Sequence, residues 1–425
     1  MISFNPPAGA PRPASPSSFP SLSRRRLPPI VDRGDGTPLR VAIIGHLKFP
    51  ISRPFMGGLE RFTDRLVRGL SRRGVEVTLF ATADSDADLN VTPVCQTGTV
   101  AAGLARFPEA DQKASRDQWV DDTEDAIYSR LMDQLSTGSL AGWFDVIHNN
   151  SINPVPLAHA DRLSAPCTTT LHVPVLPRLK EQIAQDGPRG SFVNISGPNR
   201  EQWAGLLPNQ AVIANAVDID TWRPQPLWRR PRAIWYGRIL PDKGTHFAIE
   251  AAHRIGLPID IAGPVSDDDY YRNEVLPRLQ PHRGDRMLGN CETDELQRLV
   301  GRASVCFVTP CWEEPFGLVA AEAMSCGTPV AAFDRGGPAE IVGEQGGRLS
   351  VPEDVDSLAD AAAQCLRLDR QQVRREAVTR FDEQVMIDRY IDHYYDLVPH
   401  LKPTRLAAAP AAASVAGLDT HVSLQ

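Results

Sequence analysis

The chain has 425 residues, of which 42% are hydrophobic and 23% charged, which is ordinary for a soluble protein long enough for two domains. Its net charge of -7 argues against a protein that binds nucleic acid or anionic membranes, so any phosphate site must be a local cluster of cations. No apolar run approaches the length of a membrane-spanning helix. The seven cysteines, without a CxxC pair, are typical of reduced thiols and predict a cytoplasmic protein.

Both ends of the chain are predicted to be disordered. Residues 1–38 contain nine prolines, many serines and no acidic residue before Asp32. Their arginines and serines would fit an organelle transit peptide, but the prolines disfavour the amphipathic helix that such a peptide needs. Residues 401–425 include an Ala-rich stretch without helical apolar periodicity and are predicted to be a second tail.

The ordered part of the chain is predicted to begin with a βαβ unit. Residues 39–45 form a short apolar strand, and an amphipathic helix and a second strand at 75–81 follow. Gly57 and Gly58 stand where the helix starts, where backbone N–H groups can face an anion. A glycine pair before a helix is more often only a turn, so this signal is weak by itself.

Two further strands of the first half end in a histidine, at His148 and His172. The ends of parallel strands line a ligand cleft, although a single histidine there is more often structural. Because the pattern occurs twice, the sequence leaves a functional and a structural role equally open. The first domain is predicted to span residues 39–214, and the polar segment 215–231 is predicted to be a linker.

The second half repeats the strand, loop, helix and strand pattern, and a second domain is predicted at residues 232–380. Arg238 and Lys243 lie five residues apart in its first loop, close to a helix start. Two cations at such a place can hold the two charges of a diphosphate, but a solvated surface pair is an equally good interpretation. The acidic run 266–269 resembles a metal clamp, but helix capping is the favoured interpretation, and no metal site is predicted.

Two glutamates, Glu314 and Glu322, mark a strand–loop–helix–strand unit within residues 303–333. Glu314 lies in the loop after the strand, where open α/β sheets bind ligands, and Gly317 lets a ligand approach the amides of the following helix. Glu322 lies inside that helix among apolar residues. A buried carboxylate needs hydrogen bonds, and either ligand hydroxyls or an arginine from elsewhere could supply them.

The alternation of strands and helices predicts an α/β protein with two doubly wound, Rossmann-like domains that face a central cleft. The stretch EEPFGLVAAEAMSCGTPV resembles the Glu-x7-Glu signature of family-4 retaining glycosyltransferases, which have the fold called GT-B. Further pieces match that family in order: GGLERF, TTLHVP, NAVDIDTWRP, YGRILPDKG and GGPAEIV. The segment 381–398 resembles the family's closing helix, which crosses back to the first domain. The resemblance covers residues 39–400.

This resemblance implies a hexosyltransferase (EC 2.4.1.-) that moves a sugar from a nucleotide diphosphate sugar to an acceptor hydroxyl with retention at the anomeric carbon. A UDP-sugar is the expected co-substrate, without metal or other cofactor. The acceptor is expected to be a small molecule such as a pterin or natural product. Glu314 could act as a nucleophile as in retaining glycosidases, but the resemblance points to front-face attack, in which the leaving phosphate takes the acceptor proton.

The resemblance also assigns roles to residues. Glu314 would hydrogen-bond the sugar and Glu322 the ribose, while His172 would contact the sugar from the first domain. Arg238 and Lys243 would hold the diphosphate, helped by the amides around Phe316, Gly317 and Leu318. Gly57 and Gly58 would let the first loop approach the phosphate and the acceptor. Ala216 departs from the glycine that the family commonly has in its Asn-Gly-Val-Asp turn.

Three other classes of protein remain as alternatives. A nucleotide-sugar epimerase shares the two-domain architecture, and a non-catalytic sugar-binding protein can also have two similar lobes. A dinucleotide oxidoreductase is disfavoured because no GxGxxG motif is present. The sequence does not define the oligomeric state.

Overall fold

The structure, a computed structural model, describes residues 37–208, 210–227 and 230–402. Nearly all of the predicted N-terminal extension and of the Ala-rich tail therefore lies outside the described residues. Within the described ranges, no helix has both the length and the apolar character required to cross a membrane.

A seven-stranded parallel sheet forms the centre of the first domain. Its strand order is 3-2-1-4-5-6-7, the doubly wound arrangement that the alternating sequence predicts. The central strands are buried on both faces, as their continuous apolar runs require. The strands are β1 (Arg40–Ile44), β2 (Glu76–Thr82), β3 (Val91–Cys95), β4 (Val146–Asn149), β5 (Cys167–Leu171), β6 (Ser191–Asn194) and β7 (Gln210–Val212).

A six-stranded parallel sheet repeats the same winding in the second domain, where β8 and β11 are the central pair. The strand order from one edge to the other is β10-β9-β8-β11-β12-β13. These strands are β8 (Ala233–Tyr236), β9 (Ile259–Ala262), β10 (Arg286–Gly289), β11 (Val305–Val308), β12 (Val330–Phe333) and β13 (Gly347–Ser350). The prediction of two Rossmann-like domains is therefore confirmed.

Helices cover the faces of both sheets. Those of the first half are α1 (Gly58–Arg72), α2 (Thr99–Arg106), α3 (Lys113–Ser136), α4 (Pro154–His159), α5 (Pro177–Asp186) and α6 (Gly197–Trp203). Those of the second half are α7 (Thr245–Arg254), α8 (Asp268–Tyr270), α9 (Thr293–Arg302), α10 (Leu318–Ser325), α11 (Gly337–Gly346), α12 (Val355–Cys365), α13 (Arg370–Phe381) and α14 (Glu383–Leu397).

The last helix, α14, packs on the first domain and not on the second. Ile387 and Tyr390 belong to the same buried cluster as Leu39, Val41 and Leu66. Glycine at position 69 of α1 permits this approach, because a Cβ there would lie 2.5 Å from the Ile387 side chain. The predicted crossover of the C-terminal helix is thus present, and it contributes apolar side chains to the core of the first domain.

The segment between the two sheets is packed against the second domain over part of its length. The indole of Trp222 is buried and stacks on the ring of Tyr236, with 6.0 Å between the ring centres. The amide of Val217 donates to the carbonyl of Phe381 over 2.8 Å, which ties the segment to the end of α13. The predicted linker is therefore held by contacts along the junction between the domains.

Candidate active site

The reversal of strand order places three predicted site residues of the second domain at the carboxyl ends of the two central strands of its sheet. In open parallel sheets, ligands bind outside the carboxyl ends of the two strands where the winding changes direction. Here those strands are β8 and β11. The loop after β8 carries Arg238 and Lys243, and the loop after β11 carries Glu314.

Lys243 and Glu314 are brought into direct contact. The Lys243 ammonium donates to Oε2 of Glu314, and both side chains are about three-quarters buried. The indole N–H of Trp312 donates to the same carboxylate oxygen over 3.1 Å. The ammonium also lies 5.1 Å from the centre of the Trp312 ring, within the range of a cation–π contact. The two charged groups therefore orient each other at the edge of the sheet.

The loop that carries Glu314 is held by a second loop with two glycines. The amide of Gly337 donates to the Glu314 carbonyl over 2.7 Å. Gly336 has a φ of 61°, and a Cβ at that position would lie 2.6 Å from the Glu314 carbonyl oxygen. A Cβ at Gly337 would lie 2.2 Å from the carbonyl oxygen of Phe316. Only glycine allows the two loops to pack this closely.

Arg238 has a different environment from Lys243. Its side chain is exposed, directly after β8, and it makes no ion pair among the residues that the structure describes. A free guanidinium on this edge can turn towards an anion without first breaking a salt bridge. The two predicted cations thus lie in the same loop, one of them paired and one exposed.

The start of α10 faces the first domain. Gly317 precedes the helix with a φ of 98°, and Phe316 is buried beside it. A Cβ built on Gly58 would lie 3.6 Å from the side chain of Leu318. The predicted anion-binding starts of α1 and α10 therefore lie against each other across the cleft.

Glu322 is buried inside α10 and is paired with an arginine from the other domain. Nη1 of Arg61, on α1, donates to its Oε1 over 2.7 Å, and the hydroxyl of Tyr236 lies 3.3 Å from its Oε2. Burial raises the pKa of Glu322, while Arg61 and Arg65 act in the opposite direction. Of the two partners left open by the sequence, an arginine is the one that the structure shows.

Arg61 was not among the residues predicted from the sequence. It stands in the motif GGLERF, one helical turn after the glycine pair, so its position in the cleft could have been inferred from α1. Its partner could not, because 261 residues separate the two side chains in the chain.

His172 lies at the end of β5 and faces the first helix. Its Nε2 hydrogen-bonds to Oδ1 of Asn150, whose own amide N–H donates to Thr63. Because an amide oxygen only accepts, Nε2 carries the proton and Nδ1 keeps its lone pair. The ring packs edge-on against Phe62 at 4.5 Å, and burial lowers the pKa of His172 to about 3. The imidazole is therefore neutral near pH 7.

His148, the other strand-end histidine, has a structural role. It is fully buried, its Nδ1 bonds to the hydroxyl of Tyr394 over 2.7 Å, and its Nε2 bonds to Thr170 over 2.8 Å. Burial lowers its pKa well below the ordinary value. His148 thus fastens α14 to the first sheet and does not reach the cleft.

Two more contacts join the domains beside the Glu314 loop. The hydroxyl of Ser196 donates to the Pro315 carbonyl over 2.5 Å. The amide of Gly197, at the start of α6, donates to the Glu340 carboxylate over 2.6 Å. The segment VNISGPNR of the first domain therefore supports the loop that carries Glu314.

The acidic run 266–269 caps a helix, as predicted. The carboxylate of Asp267 accepts from the amide of Tyr270 over 2.8 Å. Among the described residues, no group of three or more histidine, cysteine, aspartate or glutamate side chains is arranged to hold a metal ion.

Two family models match the chain, and they adjoin near the middle of the sequence. The model described as Glycosyltransferase Family 4 matches residues 56–220, and the one described as Glycosyl transferases group 1 matches residues 218–381. The first match covers α1 and the strand ends around His172. The second covers both cations and both glutamates of the predicted site.

Known proteins and solved structures resemble the chain over most of its length. The D-inositol 3-phosphate glycosyltransferase of Mycolicibacterium paratuberculosis is 28% identical in an alignment that covers 78% of this chain and 82% of that protein. AviGT4, a glycosyltransferase involved in avilamycin A biosynthesis, superposes with a TM-score of 0.61 at 21% identity, over 85% of this chain and 98% of its own.

The structure of HepE from Anabaena in complex with UDP and glucose superposes with a TM-score of 0.62 at 16% identity. That match covers 84% of this chain and the whole of the HepE chain. These structures share the two facing Rossmann-like domains described above. With glycosyltransferase models matching both of its domains, the chain belongs to the glycosyltransferases of the GT-B fold.

Proposed function

We propose that the protein transfers a hexose from a UDP-sugar to a hydroxyl of a small-molecule acceptor, with retention at the anomeric carbon and without a metal ion. The bond between the anomeric carbon and the diphosphate oxygen breaks. The acceptor oxygen bonds to the same face of that carbon, and its proton passes to the leaving diphosphate.

The Lys243–Glu314 pair at the edge of the second sheet is the observation that carries this proposal. Departure of the diphosphate places negative charge on its oxygens, so fixed cations and N–H dipoles at that point lower the barrier. Lys243, the exposed Arg238 and the amides at the Gly317 start of α10 are such groups. Glu314, fixed beside the cation, can accept hydrogen bonds from the sugar hydroxyls.

The first domain supplies groups that suit a neutral sugar and its acceptor. His172 is uncharged near pH 7, and its Nδ1 can accept a hydrogen bond from a sugar hydroxyl. The glycines at positions 57 and 58 are exposed and allow the sugar and acceptor to approach the backbone. A neutral imidazole adds no positive charge that would compete with the cations for the diphosphate.

Similar proteins support the choice of substrates. HepE was solved with UDP and glucose, which supports a UDP-sugar as the donor. AviGT4 is involved in avilamycin A biosynthesis, and another relative is named for D-inositol 3-phosphate, which supports a small acceptor. We also place the reaction in the cytoplasm, where reduced thiols such as the seven unpaired cysteines persist.

A thermal-shift screen with UDP-, ADP- and GDP-sugars tests the donor. A ligand present at about 100 times its Kd stabilises the fold by about 2.7 kcal/mol, which gives a clear rise in Tm. We expect a UDP-sugar to produce that rise in the wild type. Failure of all three nucleotide classes to shift Tm would contradict the proposal.

Product analysis with the stabilising donor then tests the reaction. Incubation with a panel of hydroxylated small molecules is expected to give a glycoside whose anomeric configuration, read by NMR, equals that of the donor. An epimerised nucleotide sugar formed without acceptor would support the epimerase alternative instead. Activity that survives EDTA and falls by roughly 100-fold in Lys243→Ala would agree with catalysis by protein cations alone.

A further inference from the structure

An ion pair between Arg61 and Glu322 crosses the cleft between the domains. Arg61 projects from α1 of the first domain, and its side chain is 34% exposed. Glu322 projects from α10 of the second domain, and its side chain is only 4% exposed. The carboxylate is thus fixed inside one domain, while the guanidinium reaches it from the other through the open side of the cleft.

Arg61 also lines a small pocket between the domains. The same pocket is lined by Gly58 and Leu318, the two helix starts that face each other, and by Asn215 of the segment between the sheets. Asn215 is buried, and its Oδ1 has no hydrogen-bond partner among the described residues. Arg61 therefore stands between the amides proposed for the diphosphate and the carboxylate proposed for the ribose.

Arg61 and Tyr236 do not use every acceptor position of the Glu322 carboxylate. A carboxylate offers about four acceptor positions. Arg61 occupies one on Oε1, and the Tyr236 hydroxyl approaches Oε2 at 3.3 Å while also bonding to the Val319 carbonyl. Two acceptor positions thus stay available for a pair of vicinal hydroxyls, so the arginine and a ribose can share the group.

Arg65 cannot replace Arg61 in this contact. It is largely buried one turn further along α1, and its Nη1 donates to the Ala216 carbonyl over 2.5 Å. The other titratable groups near Glu322 are Tyr236, Cys306 and Cys326, and burial raises the pKa of each of them, so they are neutral near pH 7. Among the groups described here, Arg61 is therefore the one cation in hydrogen-bond contact with Glu322.

We propose that Arg61 is a positioning residue for the nucleotide-sugar donor: from across the cleft it holds the Glu322 carboxylate in the orientation in which that group accepts hydrogen bonds from the ribose hydroxyls. The inference rests on the proposed function, in which Glu322 contacts the ribose. Loss of the guanidinium favours the protonated form of a buried acid. Ribose recognition should then weaken, while the contacts to the diphosphate remain.

The experiment measures the dissociation constants of UDP and of 2′,3′-dideoxy-UDP, which lacks both ribose hydroxyls, by isothermal titration calorimetry. We compare the wild type, Arg61→Ala, Arg61→Lys and a control variant, Arg68→Ala. Arg68 lies on the same helix with the same 34% side-chain exposure, but its partners Asp64 and Asp86 belong to the first domain. Arg61→Lys keeps the positive charge, and it replaces Arg61→Ala in the comparison if the alanine variant does not fold.

The wild type and Arg68→Ala are expected to bind UDP at least about tenfold more tightly than the dideoxy compound, as hydrogen bonds to a charged group allow. In Arg61→Ala that ratio should fall close to one, mainly through weaker UDP binding, and Arg61→Lys should restore part of it. These results would support the inference.

An unchanged ratio in Arg61→Ala would overturn it. If both affinities stayed at the wild-type level, Arg61 would have no role in binding, and if both fell equally, its role would be purely structural or on the phosphate side. A wild type that binds no UDP, ADP or GDP at all would instead contradict the proposed function. A wild type that binds UDP without preferring the ribose form would leave that function intact and remove the inference.

Discussion

Lys243 and Glu314 form an ion pair that joins the loops after the two central strands of the second sheet. These strands are neighbours in the sheet, although 71 residues separate the two side chains in the chain. The Trp312 indole holds the same carboxylate oxygen from one side. Strand order thus places the cation that we propose for the diphosphate next to the carboxylate that we propose for the sugar.

Replacement of Glu314 by glutamine is expected to lower kcat/KM for transfer by roughly 100-fold, the scale seen when one well-placed polar contact in an active site is lost. The amide keeps the shape of the side chain but not its charge, so Tm should change little. The matched control is Glu313→Gln at the adjacent, exposed position, which should retain transfer activity. Equal activity of both variants would remove Glu314 from the site.

Alanine at Lys243 or at Arg238 is expected to reduce transfer by roughly 100-fold each, because either change removes a cation that faces the leaving diphosphate. Stability should fall by less than about 1 kcal/mol in Arg238→Ala, whose side chain is exposed, and by about 1–3 kcal/mol in Lys243→Ala, which leaves the Glu314 carboxylate without its cation. Steady-state kinetics and urea unfolding check the two quantities. Lys402→Ala, at an exposed pair with Asp396, is the control. Near-wild-type turnover by either variant would contradict the diphosphate assignment.

Gly336→Ala is expected to inactivate the enzyme by displacing the Glu314 loop. The new Cβ would lie 2.6 Å from the Glu314 carbonyl oxygen, so the loop has to move. Gly187→Ala is a suitable control, because Gly187 has a similar left-handed φ of 77° and nothing within 4 Å of its Cβ. Both variants should lose about 1 kcal/mol from backbone strain, and only Gly336→Ala should lose most of its transfer activity.

Tyr394→Phe is expected to lower the free energy of unfolding by about 1–3 kcal/mol, because it leaves the buried Nδ1 of His148 without a partner. Urea denaturation followed by tryptophan fluorescence measures the change. Tyr271→Phe, at a half-buried surface position of the second domain, should stay within about 0.5 kcal/mol of the wild type. A Tyr394→Phe variant as stable as the wild type would contradict the proposed anchoring role of His148.

Stability is expected to fall as the pH drops from about 6.5 towards 3. The pKa of His148 lies well below 6.5 in the folded protein and that of His172 is lowered to about 3, while both titrate near 6.5 in the unfolded chain. Below pH 6.5 the unfolded chain therefore binds protons that the folded protein does not, which favours unfolding.

Urea unfolding between pH 5 and 7.5 measures this dependence, because that interval lies above the pH at which ordinary carboxylates titrate. His148→Gln should be less stable than the wild type at every pH. Near pH 5, however, the slope of its free energy of unfolding against pH should be smaller, by the amount that corresponds to about one proton fewer taken up on unfolding. Identical slopes for the variant and the wild type would show that His148 does not titrate in this way.

The buried centre of each sheet could be predicted from the sequence, whereas most edge strands could not. Residues 39–45 and 233–237 are continuous apolar runs because strands at the centre are covered on both faces. β3, β10 and β13 lie at sheet edges, expose part of their side chains and carry polar residues or, in β3, a proline. Such short, mixed segments give no periodic signal, so the sequence does not predict them.

The candidate site also contains residues that the sequence predicts and contacts that it does not. Glu314 is predicted because it follows a recognisable strand, whereas the position of Lys243 alone also allows a solvated surface pair, and its role comes from the resemblance to family-4 glycosyltransferases. The partner of Glu322 was left open, and His148 had two equally good roles, because both depend on side chains more than 240 residues away. Local sequence shows that a buried polar group needs a partner, but it does not show which distant helix supplies it.

The position of α14 has a consequence for how the protein is synthesised. The core of the first domain is incomplete without Tyr390, Tyr394 and their neighbours, which follow the whole second domain in the chain and so leave the ribosome after it. The second domain can therefore close its core while the first, although translated earlier, still exposes an apolar groove. The first domain is thus completed only after the second has been synthesised, and removal of α14 would leave the first domain with an uncovered apolar surface.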